Sequence, residues 1–116
     1  MKKIYYLKTC DTCKKIMKQL HLEGFEIQEI KNNPVTKEQL HKMYELSHSY
    51  EALFNKRAKL YKDQGLKDKN LSESDFKNLI LKQYTFLKRP VAIVDDEIFI
   101  GNGKKTIAQL VEKTNF

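Results

Sequence analysis

Two cysteines separated by two residues, Cys10 and Cys13, constrain the fold and chemistry of this chain more than any other feature. They lie between residues 3–7, a short run of β-type composition, and residues 14–20, whose apolar spacing predicts a helix. The pair therefore falls at a strand-to-helix junction near the N-terminus. The first turn of a helix carries unpaired N–H groups and the positive end of the helix dipole, so a thiolate there is stabilised. We predict that the two thiols form a redox pair.

The two thiols are expected to differ in reactivity. Lysines flank Cys10 at Lys8, Lys14 and Lys15, and nearby cations lower the pKa of a thiol. We predict that Cys10 titrates well below the ordinary thiol pKa of about 8.5 and acts as the nucleophile. Cys13 lies one helical turn further on and is expected to point toward the core. Its pKa should stay closer to the ordinary value, and its role should be that of the resolving thiol.

Other interpretations of the pair remain open at this stage. A closed structural zinc site needs four ligands, and the histidines at positions 21, 41 and 48 have no spacing that completes one, so no metal site is predicted. A structural disulfide across two residues closes a very small loop and restricts the unfolded chain little. Chance pairing in a lysine-rich chain is the third alternative.

Length and charge define the broad class of protein. The chain has 116 residues, which suffices for one domain with a modest core, and its net charge of +7 predicts attraction to anions. The lysines are spread through every segment with few aromatic residues between them, so direct nucleic-acid binding is not expected. No apolar leader and no run of membrane-spanning length is present, and we expect a cytoplasmic, monomeric protein without membrane contact.

The first thirty residues predict a parallel βαβ unit. Strands are expected over residues 2–7 and 25–30, with Asp11 or Thr12 capping the helix between them and Gly24 ending it. Four residues of that helix share one apolar face: Cys13, Ile16, Met17 and Leu20.

Helices are predicted through residues 34–87, before a β-hairpin at residues 91–100 and a closing helix marked by Ile107, Leu110 and Val111. Thr36 and Ser72 are expected N-caps, and residues 48–70 are expected to form short helical pieces. The helix after Ser72 is expected to bury a stripe of five residues: Phe76, Leu79, Ile80, Tyr84 and Leu87. The order is therefore βαβ, helical insert, β-hairpin and helix, which predicts a single α/β domain over residues 1–116 with a mixed four-stranded sheet.

This order and several local motifs resemble the arsenate reductase (ArsC)/Spx family, which has a thioredoxin/glutaredoxin-like fold with a helical insert. The motifs are residues 6–15, Asn33-Pro34, residues 53–57, Tyr61 with Gly65-Leu66, residues 87–90 and the turn at Gly101. The resemblance covers nearly the whole chain, and the cysteine motif with Arg89-Pro90 is its most specific part. It implies a cis-proline at Pro90 facing the active cysteine, whereas a trans proline at a strand start is the alternative.

The resemblance also implies roles for individual residues. The family's nucleophilic cysteine matches Cys10, and one of three arginines that hold arsenate matches Arg89. Asn55 stands at the position of a second arginine, and residues 100–102 contain none at the third. The expected catalytic residues are Cys10, Cys13 and Arg89. The expected substrate-binding residues are Lys8, Thr12, Arg57, Arg89 and Pro90. For Arg57, a surface salt bridge is an equally open alternative.

Two functions follow from the resemblance, which is closest to the ArsC-like/Spx branch (with MgsR) that keeps both cysteines. The first is an arsenate-reductase-like thiol–disulfide oxidoreductase, in which Cys10 attacks and Cys13, glutathione or glutaredoxin resolves the adduct. The second is an Spx-like redox-sensing regulator that binds the RNA polymerase α-subunit. No bound cofactor is expected, and glutathione, glutaredoxin or thioredoxin would supply the electrons.

Overall fold

The structure, a computed structural model, describes residues 1–115 and divides into two compact units. The first unit contains Met1–Asn33 and the chain from Arg89 onward, and the second is Pro34–Lys88. The second unit coincides with the predicted helical insert to within one residue. Across residues 1–115, no helix has the length and apolar character needed to cross a bilayer.

The first unit is built on a mixed sheet of four strands in the order β2-β1-β3-β4. The strands are β1 (Lys2–Tyr6), β2 (Glu26–Glu29), β3 (Val91–Val94) and β4 (Glu97–Ile100). β1 runs parallel to β2 and antiparallel to β3, and β3 runs antiparallel to β4. The helices of this unit are α1 (Asp11–Lys18), which joins β1 to β2, and the closing helix at Lys104–Thr114. The predicted βαβ unit, hairpin and mixed sheet are confirmed.

The core of the first unit lies on one face of this sheet. Ile4 of β1 is fully buried there and packs with residues of β3, β4, α1 and the closing helix. The buried residues of this cluster are Ile4, Ile16, Leu20, Ala92, Val94, Phe99 and Leu110. Alternation along β1 places Lys3 and Tyr5 on the opposite face. The Lys3 ammonium there pairs with Glu26 at 3.3 Å and lies 5.1 Å from the centre of the Tyr5 ring.

The first helix begins and ends at residues other than those predicted. Its N-cap is Cys10, whose Sγ accepts the backbone N–H of Cys13, so the expectation that Asp11 or Thr12 caps it is wrong. The helix stops at Lys18, well before Gly24. Gly24 instead adopts φ = 79° in the turn before β2, a left-handed conformation that glycine accepts without steric cost.

The second unit is helical. Its helices are α2 (Lys37–Ser47), α3 (Tyr50–Leu53), α4 (Lys59–Asp63) and α5 (Glu73–Lys82), and the closing helix is therefore α6. Thr36 and Ser72 are the N-caps of α2 and α5, as predicted, and each forms a reciprocal capping box, with Gln39 and Asp75 respectively. The short helices α3 and α4 confirm the prediction for residues 48–70.

The stripe predicted to continue to Leu87 along α5 is wrong in its second half. α5 ends at Lys82, and Tyr84–Phe86 form a single 3₁₀ turn. Leu87 is buried through an antiparallel bridge with Phe54 rather than as part of the helix. Phe86, which the helical period omitted, stacks on Phe54 with ring centres 5.0 Å apart.

Candidate active site

Cys10 lies at the carboxyl end of β1, where the chain turns into α1. Its backbone N–H donates to the carbonyl of Leu7 at 3.0 Å, which closes a tight turn after the strand. Leu7 is buried, whereas the Cys10 side chain is only partly buried and both cysteines are free thiols. The strand end and the helix start thus fix the sulfur of Cys10 at the surface of the first unit.

The surroundings of the Cys10 sulfur stabilise its thiolate form. Partial burial raises its pKa, but the hydrogen bonds from the backbone N–H and thiol of Cys13 and the positive charge of Arg89 outweigh this effect. The net result is a Cys10 pKa below the ordinary thiol value, in the predicted direction. The cation with the largest effect is Arg89 rather than a lysine. The Cys13 N–H lies 3.4 Å from the Cys10 sulfur.

Cys13 is fully buried on the core side of α1. Burial, together with the neighbouring Cys10 sulfur, raises the pKa of Cys13 to about 12, against opposing effects from the Leu7 N–H and Arg89. The expectation that Cys13 stays near the ordinary thiol pKa is therefore wrong. The reason is that an apolar environment penalises the thiolate more than one helical turn of dipole can offset.

Arg89 and Pro90 approach Cys10 from β3. Val91, the first residue of β3, pairs with Tyr5 near the carboxyl end of β1, so the preceding Arg89-Pro90 segment lies at the same edge of the sheet as the cysteines. The Arg89–Pro90 peptide bond is cis, as the resemblance implied. Arg89 hydrogen-bonds to the Cys10 sulfur, and the carbonyl of Pro90 accepts the N–H of Gly101 at 2.9 Å.

The other predicted binding residues fall in two places. Lys8 and Thr12 belong to the first unit, where both are exposed beside Cys10, in the turn before α1 and in its first turn. Arg57 belongs to the second unit. Its side chain is exposed, and its backbone N–H donates to the side-chain oxygen of Asn55 at 3.1 Å.

Glu29 is a residue that the sequence analysis missed. It ends β2 opposite Tyr6, and its carboxylate accepts the backbone N–H of Lys8 at 2.9 Å. The same carboxylate accepts the N–H groups of Lys31 and Asn32 at 3.0 and 2.8 Å. The signal was available, because parallel strands in a βαβ unit bring their carboxyl ends to one edge of the sheet. An acidic residue at the end of β2 therefore had to lie near the cysteine loop.

Together these groups favour thiol chemistry. The partly exposed Cys10 sulfur has a lowered pKa, as a nucleophile requires. The buried Cys13 thiol beside it keeps its proton, and the Arg89 guanidinium on its flank suits contact with an anion. Among residues 1–115, no three histidine, cysteine, aspartate or glutamate side chains are grouped as metal ligands would be.

Comparisons with known proteins place the chain among similar sequences and structures. The model of the ArsC family matches residues 5–110. The uncharacterized protein YusI of Bacillus subtilis strain 168 is 31% identical over 102 residues, which cover 84% of this chain and 86% of that protein. The solution structure of SACOL0876 from Staphylococcus aureus is similar with a TM-score of 0.74 and 27% identity, over 94% of this chain and 97% of that one. A possible arsenate reductase from Streptococcus mutans gives a TM-score of 0.71 and 25% identity, over 90% and 92%.

Proposed function

Because this chain belongs to the ArsC family, we propose that it is a thiol–disulfide oxidoreductase in which Cys10 is the nucleophile. The observation that carries the proposal is the contrast between the two thiols of one helical turn. The pKa of Cys10 is lowered and its sulfur is partly exposed, whereas the pKa of Cys13 is raised to about 12 in a buried position. Such a contrast is typical of an attacking thiolate paired with a resolving thiol that stays protonated until the mixed disulfide has formed.

In the first step the Cys10 thiolate attacks one sulfur of a substrate disulfide. The bond between the two substrate sulfurs breaks, a bond between Cys10 and the attacked sulfur forms, and the other substrate sulfur leaves as a thiolate. Arg89, which already hydrogen-bonds to Cys10, is placed to contact an anionic group next to the reacting sulfur.

In the second step Cys13 loses its proton to solvent and attacks the Cys10 sulfur. The mixed disulfide breaks, the remaining substrate thiolate leaves, and Cys10 and Cys13 become a disulfide. The substrate has then gained two electrons and the protein has lost two. Two molecules of glutathione, or a dithiol protein such as glutaredoxin or thioredoxin, return the electrons. Glutathione can also replace Cys13 as the attacking thiol.

The substrate is an anionic compound. Arg89 flanks the nucleophile, Lys8 and Thr12 are exposed next to it, and Pro90 shapes the same edge of the sheet. A glutathione mixed disulfide brings carboxylates, and arsenate brings an oxyanion that the Cys10 thiolate can attack with loss of water. A second thiol attacking the Cys10 sulfur of that adduct then releases arsenite. Arg57 is a second candidate for anion binding.

A coupled assay tests the proposal. Purified protein is given glutathione, glutathione reductase and NADPH, with either a glutathione mixed disulfide or arsenate as substrate, and NADPH oxidation is followed. We expect turnover of at least one substrate that Cys10→Ser abolishes, while Cys13→Ser retains part of it because glutathione can resolve the adduct. Turnover that survives Cys10→Ser would overturn the proposal.

The same protein preparation tests the regulatory alternative. The C-terminal domain of the RNA polymerase α-subunit is immobilised and challenged with reduced and with oxidised protein. Redox-dependent binding together with no turnover would replace the enzyme with a redox-sensing regulator of the Spx type. Equal binding, or none, would exclude this regulatory alternative.

A further inference from the structure

The loop that carries Cys10 is tied to β2 through one carboxylate. Glu29 Oε2 accepts the backbone N–H of Lys8 at 2.9 Å. That N–H belongs to the peptide group between Leu7 and Lys8. The carbonyl of the same peptide group accepts the backbone N–H of Cys10 at 3.0 Å. One planar peptide therefore has Glu29 bound at one end and Cys10 bound at the other.

The Glu29 side chain is itself held in place. Its other oxygen, Oε1, accepts the N–H groups of Lys31 and Asn32, so the carboxylate has a protein partner on both oxygens. Glu29 is also in register with Tyr6, and the N–H of Ile30 donates to the Tyr6 carbonyl at 3.0 Å, which fixes the ends of the two strands side by side. The carboxylate is thus a rigid support rather than a mobile surface charge.

We propose that Glu29 is a positioning residue for the Cys10 nucleophile, acting through the Leu7–Lys8 peptide. A charged acceptor on the peptide N–H fixes the plane of that peptide and strengthens the hydrogen bond on its carbonyl. The carbonyl in turn holds the backbone of Cys10, and so places its sulfur under the Cys13 N–H and beside Arg89. This role rests on the proposed function, because it assigns Glu29 a part in the reactivity of Cys10.

Loss of the Glu29 charge and loss of its positioning effect should change the Cys10 pKa in opposite directions, which makes the proposal testable. A nearby negative charge disfavours a thiolate, so removal of the carboxylate charge alone would lower the Cys10 pKa. Loss of positioning would raise it, because the sulfur would leave the Cys13 N–H and Arg89. Glu29→Gln removes the charge, whereas Glu29→Asp keeps the charge and withdraws it from the loop by the length of one methylene. Glu29→Asp loses the geometry because its side chain is shorter, and Glu29→Gln loses it because an amide has one acceptor oxygen and cannot accept the N–H of Lys8 as well as those of Lys31 and Asn32.

The experiment measures the rate of Cys10 alkylation by iodoacetamide from pH 4 to 10 in the reduced full chain. The variants are Glu29→Gln and Glu29→Asp, and Glu26→Gln is the matched control because it lies on the same strand and pairs with Lys3 instead of the loop. We expect both Glu29 variants to react roughly three- to tenfold more slowly at pH 6, which corresponds to a rise of about 0.5 to 1 pKa unit. Glu26→Gln should match the wild type.

A lower Cys10 pKa in Glu29→Gln with wild-type behaviour in Glu29→Asp would show an effect of charge alone and overturn the proposal. Unchanged rates in both variants would overturn it too. Because alkylation needs no turnover, these outcomes are separate from failure of the enzyme assay. If the variants do not fold, the wild-type protein provides the test by NMR. The amide protons of both Lys8 and Cys10 should titrate with the Glu29 carboxyl, and a Cys10 amide that does not follow would overturn the proposal.

Discussion

The sulfur of Cys10 accepts the backbone N–H of Cys13 at 3.4 Å, so the residue that caps α1 is also the first cysteine of the pair. The thiol of Cys13 adds a second hydrogen bond to the same sulfur, which lowers the pKa of Cys10 and raises the pKa of Cys13. The two thiols therefore titrate as a coupled pair. A chemical change at Cys10 must alter the acidity of Cys13.

Selective alkylation should distinguish the two thiols directly. In the reduced protein at pH 6, iodoacetamide should label Cys10 almost alone, because Cys10 is partly exposed with a lowered pKa while Cys13 is buried with a pKa of about 12. Peptide mass spectrometry after brief treatment measures the ratio. Cys13→Ser should retain the label and Cys10→Ser should lose it. Equal labelling of both cysteines, or preference for Cys13, would contradict the assigned roles.

The strands, helices and N-caps could be predicted from the sequence because each depends on a local pattern of residues. The strand before Cys10 and the helix after it follow from period-two and period-3.6 spacing, and the caps at Thr36 and Ser72 follow from local hydrogen bonding. Spacing alone could not show that the Cys10 sulfur would cap α1, because a cap depends on the rotamer of the side chain. Nor could it show that α5 ends at Lys82, since Leu87 becomes buried by pairing with Phe54.

The site itself was predicted only in part, for a different reason. Cys10, Cys13 and Arg89 meet because β1 and β3 are neighbours in the sheet, and the resemblance had already put these three residues together. The parallel βαβ unit placed Glu29 near the cysteine loop, but its hydrogen bonds could not be predicted, because the backbone N–H groups that it accepts have no signature in a sequence. The raised pKa of Cys13 depends on how completely the core covers it, which composition does not give.

Arg89 should lower the pKa of Cys10 more through its positive charge than through the planar geometry of its guanidinium. Arg89→Ala removes the cation and should raise the Cys10 pKa, with alkylation at pH 6 slowed about tenfold for a shift of one unit. Arg89→Lys keeps a charge and should lie between Arg89→Ala and the wild type. The measurement is the pH profile of iodoacetamide alkylation. A profile unchanged in Arg89→Ala would contradict the contact.

Arg57 provides the comparison with Arg89. If Arg57 binds the anionic substrate without contacting the nucleophile, Arg57→Ala should raise KM several-fold in the coupled assay and leave the alkylation profile as in the wild type. If Arg57 only forms surface ion pairs, neither KM nor the profile should change, which would remove it from the site.

Glu29 should make stability depend on pH in a defined direction. Burial raises the pKa of Glu29, but the hydrogen bonds from the N–H groups of Lys8, Asn32 and Lys31, with the charge of Lys31, together outweigh it and hold that pKa below its ordinary value. A carboxyl whose pKa is lower in the folded state stabilises above the unfolded value of about 4.3 and loses that effect as the pH falls through the folded value.

Urea unfolding of the wild type and Glu29→Gln between pH 3 and 7 measures this effect. At pH 7 the variant should be less stable by about 1 kcal/mol, a figure reduced for partial exposure of the carboxylate. The difference should shrink below about pH 4 as the wild-type carboxyl is protonated. A difference that stays constant across this range would mean that Glu29 stabilises the fold by packing rather than as a charged acceptor.

The resolving step should depend on pH through Cys13. When Cys10 enters a mixed disulfide it no longer carries a charge and no longer accepts the Cys13 proton, so two of the causes that raise the Cys13 pKa are removed. Burial remains, and the Cys13 pKa should fall from about 12 but stay above the ordinary thiol value.

The aromatic disulfide 5,5′-dithiobis(2-nitrobenzoate) separates the two steps, because attack by Cys10 releases one coloured thiolate and attack by Cys13 releases the second. The second phase should accelerate about tenfold per pH unit from pH 6 to 8 and be absent in Cys13→Ser. A second phase that levels off below pH 7 would mean that Cys13 is already ionised in the adduct, which its buried position opposes.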